Sequence, residues 1–259
     1  MRLNAIVHAP EGEETKPPLV IAHGLFGSAR NWGAVAKRLT GGRRVIAVDM
    51  RNHGDSPWSD DHSYPAMAED LAEALETHGG GHTDLLGHSM GGKAAMAAAV
   101  TLQPPGLRRL VIADIAPVAY RHSHLAYVEA MLAVDLGALS RRSEVEPLIA
   151  DAVPERSLRA FLLHSLASGP EGLRWKLNLP ALRDWMTSMV GFEPLEGRWA
   201  GETLFLRGGA SDYADDAGME AARPLFPAME VATLPGAGHW LHAEQPAEFA
   251  AAVAAFLDR

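Results

Sequence analysis

The sequence predicts an α/β fold: a mostly parallel central sheet with helices on both faces and a helical cap. Three observations predict it. Short continuous apolar runs end at Gly, Pro or Asp; helical patterns alternate with them; and one long stretch carries helical patterns without a convincing strand. Unbroken apolar runs suit strands buried on both faces, and their alternation with helices suits parallel crossover connections.

The strands follow in order. Leu19-Val20-Ile21-Ala22 ends in His23-Gly24, and Val45-Ile46-Ala47-Val48 ends at Asp49. Asp84-Leu85-Leu86-Gly87 leads into His88-Ser89, and Leu110-Val111-Ile112-Ala113 ends at Asp114. Thr203-Leu204-Phe205-Leu206 runs into Arg207-Gly208-Gly209, and Met229 to Leu234 ends at Pro235-Gly236. Helices are expected over 31–39, 64–78, 90–103 and 244–257. Between Pro117 and Arg198 the rhythm breaks, with helical patterns at 127–132, 145–152, 157–165 and 181–190. The expected organisation is therefore a core of 1–116 and 199–259 with a helical cap inserted over 117–198.

Composition narrows the class. The 259 residues, 47% of them apolar, suffice for one sizeable core. A formal net charge of −9 argues against nucleic acid or an anionic membrane surface as partner. With no cysteine there is no disulfide, thiolate metal site or thiol nucleophile. The start, Met1 to His8, lacks the apolar core of a signal peptide, and no run approaches membrane-spanning length, so a soluble cytoplasmic protein is expected.

Gly87-His88-Ser89-Met90-Gly91 fits the G-x-S-x-G pattern, placed after a strand and before a helix of small residues. A serine on a sharp strand-to-helix turn exposes its hydroxyl, and the neighbours two before and two after must be small for strand and helix to approach. The first helical amides, Met90 foremost, then aim at the reacting oxygen. His23-Gly24-Leu25-Phe26-Gly27 lies where a second oxyanion donor is required, from Leu25 or, second, Phe26. Gly236-Ala237-Gly238-His239-Trp240 follows the last strand and places His239 as general base for Ser89. These three segments, in this chain order, predict a serine hydrolase of the α/β-hydrolase fold.

Other histidines are read differently. The His88 side chain is expected in the sheet core, and His242 at the surface or behind His239. His122 and His124 form an H-x-H pair without carboxylate or cysteine partners at ligand spacing, so no metal is assigned there. The residues alone leave the triad acid open between the loop carrying Asp212 and Asp215 and the strand end at Asp114. The loop from Asp49 to Ser56 is read as structural, with Asp55 bonding turn amides rather than performing chemistry.

Asp49-Met50-Arg51-Asn52-His53-Gly54-Asp55-Ser56-Pro57, Tyr64-Pro65-Ala66-Met67 and Gly87-His88-Ser89-Met90-Gly91-Gly92-Lys93 closely resemble the YbfF-type bacterial esterases, which are related to the ABHD11 branch of the α/β-hydrolases. Asp114-Ile115-Ala116-Pro117 and Arg207-Gly208-Gly209 with Ser211 and Tyr213 extend the match over nearly the whole chain. The resemblance implies Asp114 as the acid and Ser211 as a supporting hydroxyl. It also implies an esterase, with acyl-CoA thioesters among its substrates.

The expected reaction is acyl transfer from a small ester or thioester to Ser89 and then to water, with no cofactor and no metal. Phe26, Trp32, Tyr120, Trp185 and Met186 are candidate substrate-binding residues, and Tyr127, Met131, Trp175 and Met189 add to an apolar cap. Arg121, Arg141 and Arg142 are candidates for a CoA phosphate or a solvated face. The competing classes are a C–C bond hydrolase on the same scaffold and a non-catalytic binding protein. A serine at the elbow excludes an aspartate-nucleophile dehalogenase.

Overall fold

The computed structural model describes residues 1–259 except 11 and 171. The strands are β1 (Ala5–His8), β2 (Leu19–Ala22), β3 (Val45–Val48), β4 (Thr83–His88), β5 (Leu107–Ala113), β6 (Leu166–Gly169), β7 (Gly172–Trp175), β8 (Thr203–Gly208) and β9 (Met229–Leu234). Seven of them form one sheet in the order β1-β3-β2-β4-β5-β8-β9, while β6 and β7 pair as a separate hairpin. Only β1 runs antiparallel in the large sheet, against β3.

Period-two alternation builds two cores from one strand. Leu19 and Ile21 of β2 pack on one side with Val45, Ala47, Leu86 and Val111. Val20 and Ala22 pack on the other with Ile46, Val48, Leu85 and Ile112. The helices are α1 (Gly33–Leu39), α2 (Tyr64–Gly79), α3 (Met90–Ala97), α4 (Leu125–Leu132), α5 (Arg142–Val145), α6 (Arg156–Leu163), α7 (Leu179–Asp184), α8 (Met186–Val190), α9 (Asp216–Ala222), α10 (Leu241–Glu244) and α11 (Pro246–Leu257). The pair α1 and α11 covers the first core and the pair α2 and α3 the second. No helix is long and apolar enough to cross a membrane among the described residues.

Several expected boundaries move for local reasons. The helix expected over 244–257 is α11, which opens at Pro246; the short α10 ahead of it was not expected, and Pro246 supplies no amide to join the two. That over 145–152 shrinks to α5 and a tight 3-10 turn containing Pro147. That over 181–190 divides into α7 and α8 at Trp185. The expectation of no strand between Pro117 and Arg198 is corrected by the β6–β7 hairpin. Its first strand, Leu-Ala-Ser-Gly, has no β-branched residue and gives no alternating signal. The edge strand β1 was likewise not expected from the sequence; it gains its order by pairing with β3.

The sheet order reverses between β2 and β4, so the loops leaving those neighbouring strands diverge and open a crevice at their carboxyl ends. The described residues between β5 and β8 lie outside the large sheet. This segment is tied to the loop after β3: Asn178 donates its amide to the Asn52 carbonyl at 3.0 Å, and Gly54 donates to the Lys176 carbonyl at 2.8 Å.

Candidate active site

Ser89 closes β4 and opens α3 with φ of 52° and ψ of −119°. This region is rarely occupied by a residue with a side chain and costs about 1–3 kcal/mol. Close packing around the turn enforces it. A Cβ on Gly91 would stand 2.5 Å from the Ala22 carbonyl oxygen, and one on Gly87 would strike the Gly91 carbonyl. The small residues at these two positions let α3 press against β2 while the serine hydroxyl is held outward.

His239 sits in the loop between β9 and α10. Its Nε2 lies 3.0 Å from Ser89 Oγ and its Nδ1 lies 2.8 Å from Asp114 Oδ2. The Nδ1 proton goes to the carboxylate, leaving Nε2 to accept from the serine. Asp114, at the end of β5, is 1% exposed and adopts φ of 49°. Its Oδ1 accepts the Gly208 amide at 2.8 Å, and its Oδ2 also accepts the Ser211 hydroxyl. The Ser211 oxygen in turn accepts the Tyr213 amide at 3.3 Å. The buried carboxylate is thus satisfied from three directions, as a charge in this position requires. The Tyr213 ring stacks on His239 at 3.8 Å, and His88 donates its Nε2 proton to the His239 carbonyl at 2.9 Å. Asp212 is exposed, while Asp215 accepts the Gly218 amide as the cap of α9.

Phe26 donates its amide to His53 Nε2 at 3.2 Å. That leaves the amides of Leu25 and Met90 without an acceptor among the described residues. His53 and His23 brace this loop from behind. Each donates its Nδ1 proton to a carbonyl, of Arg51 at 2.9 Å and Gly24 at 2.8 Å, and uses Nε2 as acceptor. Burial holds both histidines below their ordinary pKa, so both are neutral.

A cavity of about 290 Å³ lies over Ser89, lined by Phe26, Trp32, Tyr127, Leu158, Phe161 and Trp240 among others. Phe26 and Trp32, both candidates from the sequence, line this cavity. Tyr120 lines a small adjoining space that also reaches Ser89, Leu25 and Met90, and its hydroxyl accepts the Ala116 amide at 2.9 Å. Trp185 and Met186 do not reach the cavity. The Trp185 indole donates to the Asp60 carbonyl at 2.7 Å, and Met186 is buried in the core beside α2 and α3. Leu158 and Phe161 are wall residues that the sequence reading missed; their three-residue spacing on α6 was the available signal. His242 is buried, stacked 4.3 Å from Trp32, rather than at the surface. The turn amide expected for Asp55 goes to Asp49, which accepts from Asp55 at 2.9 Å and from Ala29 at 2.7 Å. Asp55 itself pairs with Lys176. The rings of His122 and His124 lie 5.3 Å apart, and among the described residues no three His, Asp or Glu side chains gather as a metal site.

A largely parallel sheet with a serine elbow at its crevice defines a protein of the α/β-hydrolase class. The chain belongs to the alpha/beta hydrolase family, whose sequence pattern matches residues 19–252. It is 40% identical over 255 residues to the sn-1-specific diacylglycerol lipase ABHD11 of Mus musculus, across 95% of this chain and 83% of that protein. It is 35% identical over 259 residues to the esterase YbfF of Escherichia coli (strain K12), across 100% of both. A solved structure described as a marine microorganism esterase superposes with a TM-score of 0.91 at 35% identity, covering 99% of each chain. The resemblance read from the motifs thus extends along the whole chain.

Proposed function

We propose that the protein is a serine carboxylesterase for short- to medium-chain acyl esters, with acyl-CoA thioesters as a second substrate class. The carrying observation is the continuous contact from Ser89 through His239 to Asp114, at 3.0 and 2.8 Å, beside two amides with no other acceptor. Relatives named as an esterase and a lipase, matched along nearly the whole chain, support ester hydrolysis.

In this reading His239 Nε2 takes the Ser89 proton as Oγ attacks the acyl carbon. The Leu25 and Met90 amides stabilise the oxyanion, each donor contributing about 3–4 kcal/mol by analogy with measured oxyanion holes. His239 returns the proton to the departing alcohol or thiol, and water then repeats the sequence on the acyl-enzyme. Asp114 keeps the imidazole in the Nδ1–H tautomer and stabilises its cation without taking the proton. Ser211 holds the Asp114 carboxylate in place. Segment 117–198 serves as the cap, with Leu158 and Phe161 facing the acyl group. The cavity, about 290 Å³, lies just below the usual range of about 300–1,000 Å³ for such sites, which favours short chains.

The test compares kcat/KM for one butyryl group offered as a simple ester and as a CoA thioester, with Ser89→Ala and fluorophosphonate labelling as controls. Labelling at Ser89 and loss of turnover in Ser89→Ala are expected; an unlabelled serine with turnover intact would sink the reading.

A further inference from the structure

A second cavity, about 380 Å³, adjoins the one over Ser89, and Phe26, Gly27 and Asn31 line both. Its character is different. Arg30 enters from the turn before α1, Arg142 from the start of α5, and Arg174 and Lys176 from the strand β7 and the residue after it. Four cations from three parts of the chain converge on one space in a protein of formal net charge −9. Two carboxylates share the wall, and both are engaged. Asp49 accepts from Asn4 and from the amides of Ala29 and Asp55, while Asp55 pairs with Lys176. Among the described residues none of the three arginines meets a carboxylate. Arg142 is steadied by donating to the Leu166 carbonyl at 2.6 Å, so its charge is held at the rim of the space. Arg121 and Arg141 stay outside; Arg141 pairs with Glu144 instead.

Four cations against two carboxylates leave the wall net positive, and a cavity focuses that field on whatever enters. Guanidinium groups match the planar or tetrahedral oxygens of carboxylate and phosphate. The geometry points to a substrate class: an ester that carries an anionic group, phosphate or carboxylate, seated in this second cavity while its acyl carbon lies at Ser89. The inference rests on the serine esterase reading and adds the charge of the substrate to it. Hydrolysis itself is unchanged. Water supplies the oxygen of the released acid and the proton of the released alcohol, and the anionic group takes no part in bond making.

The experiment measures kcat/KM at low and high ionic strength for four probes in two neutral and anionic pairs. The butyryl ester of methoxyethanol is compared with the butyryl ester of ethylene glycol monophosphate, and methyl butyrate with monomethyl glutarate. Each is run with the wild type, with Arg30→Gln combined with Arg174→Gln, and with Ser89→Ala. The expected result is a preference of about tenfold or more for an anionic ester over its neutral counterpart, expressed in KM. That preference disappears at high salt and in the double variant, which keeps wild-type turnover of the neutral esters. Preference for the phosphate probe places the leaving group in the second cavity; preference for the glutarate probe places the acyl group there. Equal turnover of charged and neutral esters, with activity still dependent on Ser89, overturns the inference alone. Turnover that survives Ser89→Ala overturns the esterase reading and the inference together.

Discussion

The amide of Phe26 donates to Nε2 of His53 at 3.2 Å, joining the loop after β2 to the loop after β3. Phe26 is held at φ of 64° by this arrangement, and the preceding amide, Leu25, is left facing the crevice. Replacing His53 by Phe keeps a ring but removes the acceptor. We expect kcat to fall by up to about 10²-fold, the cost of a misplaced group near the reacting atoms, with little change in KM. His53→Gln, whose side-chain oxygen accepts the same amide, should restore part of kcat. Equal kinetics for the two variants would mean that His53 only fills space.

Asp114 and Asp212 compete for the role of acid, and kinetics separates them. Asp114→Asn should lower kcat by about 10⁴-fold, as in the well-studied serine protease case, because the wrong imidazole tautomer is then favoured. Asp212→Asn should be mild, since Asp212 is exposed. Ser211→Ala should fall between, because it removes one of the donors to Asp114. Steady-state kcat on a butyryl ester checks the ranking; a reversed order for the two aspartates would discard the assignment.

Acid should destabilise the fold through its buried histidines. Burial pushes His53 and His88 well below the ordinary value, and brings His62 and His242 to about 3. Each stays neutral when folded but protonates when unfolded, so the unfolded chain binds more protons below about pH 6.5. Stability from these groups is fully present above that pH and is lost as pH falls. Each contributes a slope of up to about 1.4 kcal/mol per pH unit. Urea unfolding at pH 7 and pH 5 should show a clear loss; unchanged stability would mean these histidines are charged in the fold.

Lys93 is buried with no carboxylate partner among the described residues, donating to the carbonyls of Gly191 at 2.6 Å and Val190 at 3.3 Å. Burial lowers its pKa to about 7. Between that value and the ordinary lysine range the unfolded chain holds the extra proton, so the stability contributed by this group rises with pH. Lys93→Met removes the titration. The wild type minus variant difference in unfolding free energy should therefore grow from pH 7 to pH 9, by at most about 1.4 kcal/mol per unit. A flat difference would place the lysine charge in solvent.

By itself the sequence determined the fold class, the serine elbow at Ser89, the loop at Leu25 and the histidine at His239. Each is a local signal, an apolar run with a Gly-bounded turn at its carboxyl end, and local backbone geometry depends on neighbours in the chain. The sequence left Asp114 and Asp212 unresolved from the residues alone, because an acid reaches His239 only through the spatial order of β5, β8 and β9. Tertiary structure decided that Asp114 bonds His239, that Leu158 and Phe161 rather than Trp185 and Met186 face the cavity, and that His242 stacks on Trp32. It also created the β6–β7 hairpin, whose short strands carry little propensity of their own and gain order from pairing and from the loop beneath them. Contacts between residues distant in the chain depend on how the layers pack, and one-dimensional pattern does not encode that packing.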